Sequence, residues 1–158
     1  MAVLAETTAQ VLVSDTVTLP VAAEKISEIV ASVRDTQCFV IENKVIFLGT
    51  LHKQIFFVDQ DGFVRHVGVD IPFSGFADTP GVPAGSSCQL TPAVVFLNFS
   101  LVSPTELQEN VVIDINIVVT DDDPSGNTVT FSNTLPVQPL RFGAQGTVRV
   151  SEAGFHMS

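Results

Sequence analysis

Apolar residues along this chain recur in short runs separated by Gly, Pro, Asp and Asn, the layout expected of a β-sandwich or barrel. In residues 11–19, Val11, Val13, Val17 and Leu19 alternate with Leu12, Ser14, Thr16 and Thr18. Asp15 interrupts the apolar side, and Pro20, which has no N–H for a ladder, ends the strand. Residues 22–33 fit two readings. Ala22, Ile26, Ile29 and Val33 have helical spacing, but the segment also fits an irregular strand, and periodicity does not choose between them. Residues 37–58 are clearer: Cys38 to Ile41, a turn at Glu42-Asn43-Lys44, then Val45 to Val58, apolar on both faces for most of its length. Such a strand needs cover on both sides. Asp59-Gln60-Asp61-Gly62 supplies turn chemistry, and Phe63 to Val69 returns as the second arm of a hairpin.

Residues 71–92 contain Pro72, Pro80, Pro83 and Pro92 and read as a loop, in which Phe73 and Phe76 are apolar enough to pack onto a neighbouring surface. Further strands are expected at 93–102, at 111–119 with clean alternation, and at 128–135 and 146–151. The pattern predicts an all-β, β-sandwich-like single domain. Its core spans 24–120, with a β-rich N-terminal extension over 1–23 and a C-terminal one over 121–158.

Composition adds constraints. The chain has 158 residues, 46% of them hydrophobic and only 15% charged, against roughly 25% charged in ordinary domains. A surface so poor in charge favours burial against other molecules. The net charge is −10 and the seven Lys and Arg are scattered singly, which argues against nucleic acid and anionic membranes as partners. Twelve Phe occur without Trp or Tyr, a choice suited to dry contacts rather than to sugar stacking. Two cysteines, Cys38 and Cys88, read by default as buried thiols, with a single bridge as the alternative. The N-terminus shows no basic region followed by a sustained apolar run, so no secretory signal is expected. No apolar stretch approaches the ~20 residues of a membrane helix.

Candidate chemistry is sparse. The nucleotide-binding, zinc-protease and serine-hydrolase motifs are absent, so neither catalysis nor a cofactor is expected. His52 and His66 could face each other across the 45–69 hairpin as a metal or pH site, against a plainer reading as surface packing. Asp121, Asp122, Asp123 and Asn127 carry oxygens suited to calcium but lack EF-hand spacing, and a solvated turn is the simpler reading. The extensions are more distinctive. A β-rich segment can add a strand to a neighbour's sheet, which makes Val11, Val13, Val17 and Leu19 candidate donor residues, with Phe73 and Phe76 as a second contact. The alternative is that residues 1–19 pair within their own domain.

Three stretches carry a family resemblance: ASVRD at 31–35, ENKVIFLGTLHKQIFFVDQDGFVRHVGVDIPFSGFADTPG at 42–81, and VVIDINIVV at 111–119. Over residues 24–119 the sequence resembles the SPOCS domain of endospore-forming bacteria. The resemblance implies a non-enzymatic spore-envelope protein made in the mother cell, without a signal peptide, and deposited on the spore surface. It also implies work through protein–protein contacts, with copies of itself or with other spore-envelope proteins. Two roles follow: a self-assembling subunit of a fibre or layer, and a soluble adaptor that docks coat proteins. A peptidoglycan- or carbohydrate-binding module is a weaker third.

Overall fold

The computed structural model describes residues 2–121, 130–131, 140–143 and 147–149. Six long antiparallel strands build two facing sheets: β1 (Val3–Thr18), β2 (Ala23–Ile41), β3 (Lys44–Asp59), β4 (Val64–Asp78), β5 (Ser87–Ser103) and β6 (Glu106–Thr120). Short strands β7 (Thr130–Phe131), β8 (Leu140–Gly143) and β9 (Thr147–Arg149) follow. One sheet has the order β1-β6-β5-β9, the other β4-β3-β2-β7, with β8 also on β2. Across the sandwich β1 lies against β4 and β5 against β2. Among the described residues there is no helix.

Period-2 alternation explains the layering. On β3 every odd residue from Val45 to Asp59 points inward, and on β6 every odd residue from Leu107 to Val119 does so; all of these are buried. The segment 22–33, undecided between helix and strand, is strand. Its pairing with β3 slips between Ala23 and Lys25, between Ile26 and Glu28, and again between Arg34 and Gln37, and these irregularities blurred the two-residue period. Asp35, at φ 55, sits at the third slip.

The expected loop 71–92 is a loop only over 79–86. Residues 71–78 continue β4, and 87–92 begin β5. Pro72 is tolerated because β4 is an edge strand. Pro92 pairs with Ile115 on one side, while the described pairing with β9 reaches only Phe96–Asn98 on the other. Prolines here therefore marked strand backbone with a described partner on one side only, rather than the absence of strand.

Two reciprocal contacts fix the β3–β4 pair. Phe73 lies opposite Gly49, and Phe47 opposite Gly75. A Cβ on Gly49 would sit 2.8 Å from the Phe73 ring, and one on Gly75 would sit 2.6 Å from the Phe47 ring. Each ring thus covers the glycine opposite and replaces the side chain it lacks. The turn before β3 uses Asn43 at φ 64, whose Oδ1 accepts from Gly81 N at 2.8 Å. The turn after β3 uses Gly62 at φ 89, a conformation glycine takes without steric cost.

Candidate functional site

β1 runs antiparallel to β6 of its own chain from Val3 to Thr18. Val13, Val17 and Leu19 are buried in the shared core, and Val11 packs against it. In this structure the residues expected to serve as a donor strand therefore close their own sandwich. The other side of β1 has no neighbour among the described strands.

Register places Asp15 opposite Glu109 on the inner face. Lys53 points inward from β3, in phase with Leu51 and Ile55. Its Nζ donates to Asp15 Oδ1 at 2.6 Å and to Glu109 Oε1 at 2.5 Å. The Lys53 and Glu109 side chains are fully buried and that of Asp15 is 20% exposed. Glu109 Oε2 has no hydrogen-bond partner among the described residues. Burial pushes the Glu109 carboxyl above its ordinary value, against the pull of the Lys53 charge and hydrogen bond. All three residues fall in phase with the apolar, inward-facing positions of their strands. Asp15 stood out as a break in a stripe, but a lysine and a glutamate among apolar neighbours do not announce each other until the sheets are stacked.

A second tie joins the sheets elsewhere. Cys38 on β2 and Cys88 on β5 are disulfide-bonded, with Cα atoms 6.3 Å apart. This corrects the expectation of two buried thiols. The strands that carry them face each other across the core, a relation that a spacing of 50 residues does not reveal.

The histidines do not face each other. His52 pairs with Asp70, its Nδ1 lying 2.6 Å from Asp70 Oδ1. His66 lies opposite Phe56, with ring centroids 4.9 Å apart, and its Nε2 is 3.2 Å from Gln54 Oε1. The hairpin register separates the two histidines along the ladder, which removes the candidate metal or pH site and leaves the plainer reading of packing at the sheet surface. No group of three His, Cys, Asp or Glu side chains among the described residues is placed to hold a metal. Of the acidic turn, Asp121 accepts from Ala2 N at 2.8 Å; Asp122, Asp123 and Asn127 lie outside the described residues.

Phe73 is buried over Gly49, whereas Phe76 is 61% exposed with Lys44 Nζ 4.4 Å from its ring centroid. Beside Phe76, Ile46 and Ile41 are exposed too, and the three make an apolar patch at one end of the outer face of the β4-β3-β2 sheet. The outer face of the other sheet is largely polar, and its charged residues, Glu6, Glu106 and Asp114, are all acidic. Asn110 Nδ2 donates to Asn98 Oδ1 at 3.0 Å, Ser14 donates to Asn110 at 2.7 Å, and Gln10 donates to Asp114 at 2.8 Å.

No curated protein and no solved structure matches the chain. The family profile described as SipL, SPOCS domain, matches residues 22–102. That segment takes in β2, β3, β4 and nearly all of β5, including the two Phe–Gly pairs and the Asp59 turn. It begins where β1 has ended, so Asp15 and Glu109 lie outside it and Lys53 inside. Covering just over half of the sequence, the match shows that the chain belongs to the SPOCS-domain family and points to a role in sporulation.

Proposed function

We propose that the protein is a non-enzymatic structural subunit of the spore envelope that assembles with copies of itself by exchange of β1. In that exchange the β1 of one copy takes the place of its neighbour's on β6, and Val11, Val13, Val17 and Leu19 enter the neighbour's core. A head-to-tail exchange whose rotation leaves the ends open builds a fibre or a layer.

The observation that carries this reading is the position of β1. It is an edge strand, and it can leave without separating any other pair of strands. A short segment containing Pro20 joins it to β2, and the family-matched region starts only at residue 22. The long β1–β6 ladder gives the exchanged strand main-chain affinity and its inward residues give register. The edge is lightly guarded: β1 contains no Lys or Pro and carries only Glu6 and the inward Asp15 as charges, whereas β4, the edge strand of the other sheet, has Arg65 and Pro72. The patch of Phe76, Ile46 and Ile41 supplies a second, side-by-side contact.

Negative-stain electron microscopy of the untagged protein tests assembly. Regular filaments or sheets are the expected outcome, while dispersed particles of fixed small mass favour the adaptor role. A staple tests the exchange itself. Thr8 and Asn116 are paired on the outer face, and Thr8→Cys with Asn116→Cys, once oxidised, holds β1 on its own β6. Assembly should stop with the staple closed and resume on its reduction. Polymers that form equally well with the staple closed would rule out exchange of β1.

A further inference from the structure

A structural ion pair needs one carboxylate for one lysine. Lys53 has two, on different strands: one sealed in the core with a spare oxygen, the other reaching the surface. The surroundings are dry. Leu51 and Ile55 flank Lys53 along β3, Ala31 and Val69 lie opposite it, and Leu107, Val111 and Phe99 surround Glu109. Glu109 is the one charged residue among the inward positions of β6. An amine held against a carboxyl group without water between them is placed for condensation rather than for solvation. Fixed proximity of this kind strongly lowers the barrier of an otherwise bimolecular step.

We propose that Lys53 and Asp15 condense into an amide that ties β1 covalently to the β3 it lies against, in its own chain or in the copy that has received it, with Glu109 relaying the protons. An ammonium proton passes from Lys53 Nζ to Glu109, and Glu109 delivers a proton to the Asp15 carboxylate beside it. The neutral Nζ then attacks Asp15 Cγ. The Nζ–Cγ bond forms, Glu109 carries a second proton from Nζ to the hydroxyl, the Cγ–O bond breaks, and the oxygen leaves as water through the exposed side of Asp15. One ammonium and one carboxylate become one neutral amide and one water. Nothing is oxidised or reduced, and Glu109 returns to its starting state. The roles divide by environment. A buried carboxyl whose affinity for protons is raised serves as the general acid–base, and the partly exposed one gives the product water a way out. The product also removes two charges from the core, where an ion pair is costly to keep.

Peptide mapping decides the matter on the full-length wild-type protein, denatured and reduced so that the Cys38–Cys88 bridge is open. Trypsin does not cut after an acylated lysine. The bond therefore leaves residues 1–25 joined to residues 45–65 in one branched peptide, lighter than the two separate peptides together by one water. Free peptides 45–53 and 54–65 with the intact chain at full mass would overturn the proposal. A branch from Lys53 into residues 66–141, which contain Glu109, would overturn the assignment of Asp15 as the acyl group. Glu109→Gln keeps the accepting oxygen but cannot relay protons, so the branched peptide should vanish while the fold, judged by circular dichroism, remains. Its persistence in that variant would overturn the role given to Glu109.

Discussion

The two sheets are tied together twice, by unlike means. Cys38–Cys88 joins β2 to β5, well away from the edge strands β1 and β4. Lys53 joins β3 to β6 and β1, and so reaches the edge of the sandwich. The first tie is apolar and chemically finished. The second places three ionisable groups in a dry core and leaves one carboxylate oxygen unpartnered. A disulfide constrains whatever surrounds it. The charged tie instead selects which strand lies on β6, because only a strand with a carboxylate at the position of Asp15 neutralises Lys53 from that side. The difference separates holding a fold together from choosing the piece that completes it.

Breaking the charged tie should do the most damage. Lys53→Met leaves two carboxylates facing each other in the core, and loss of one partner of a buried pair costs about 3–5 kcal/mol. Urea unfolding should show a large drop in midpoint. Replacing all three groups with apolar residues (Asp15→Val, Lys53→Met, Glu109→Leu) should recover most of that loss. Cutting the thiol tie with Cys38→Ser and Cys88→Ser should cost about 2–4 kcal/mol for a loop of this length, read in the same unfolding experiment without reductant. A packing defect belonging to neither tie sets the scale. In Gly75→Ala the new methyl meets the Phe47 ring, with an expected cost of about 1–3 kcal/mol.

The pH dependence should be smallest in size and most specific in sign. The Glu109 carboxyl is raised by burial, so its contribution is full below its unfolded value near 4.5 and declines as pH rises through the folded value. Glu109→Gln should flatten that decline. Asp59 works in the opposite sense. The hydrogen bond from Arg65 Nε, with those from the Phe63 and Asp61 amides, holds it below its ordinary 3.8. Its contribution is present above that value and is lost on further acidification. Arg65→Ala should weaken the acid-side loss and leave the change above pH 4.5, where Glu109 titrates, untouched. Both curves can be read from thermal midpoints across pH.

Much of the architecture was legible because alternation survives wherever a strand is unbroken. Residues 45–58 and 111–119 read as strands and are strands. β2 was obscured by its three register slips, which shift the inward set along the strand. The full length of β4 and β5 was obscured by Pro72 and Pro92, each of which sits where one side of its backbone has no described partner. Of the two aromatic residues singled out as contacts, Phe73 covers a glycine and Phe76 does not. That distinction depends on which residue lies opposite across the hairpin, a matter of register that single-strand patterns do not carry. The charged cluster and the disulfide were hidden for the same reason. Both join strands of opposite sheets, and the stacking of sheets leaves no period in the sequence.

The place of Asp15 along β1 bears on how the protein carries tension. A pull on the N-terminus loads the ladder at the Val3–Thr120 end, where the cross-strand pairs open in succession like the teeth of a zip. Peeling of this kind meets little resistance at each step until it arrives at the Asp15–Glu109 pair, three residues before β1 ends at Thr18. There Lys53 pins the strand to the opposite sheet, and further travel has to shear the two sheets rather than unzip one of them. The strand can thus give way over most of its length and still not detach, acting as a short tether that yields before it holds.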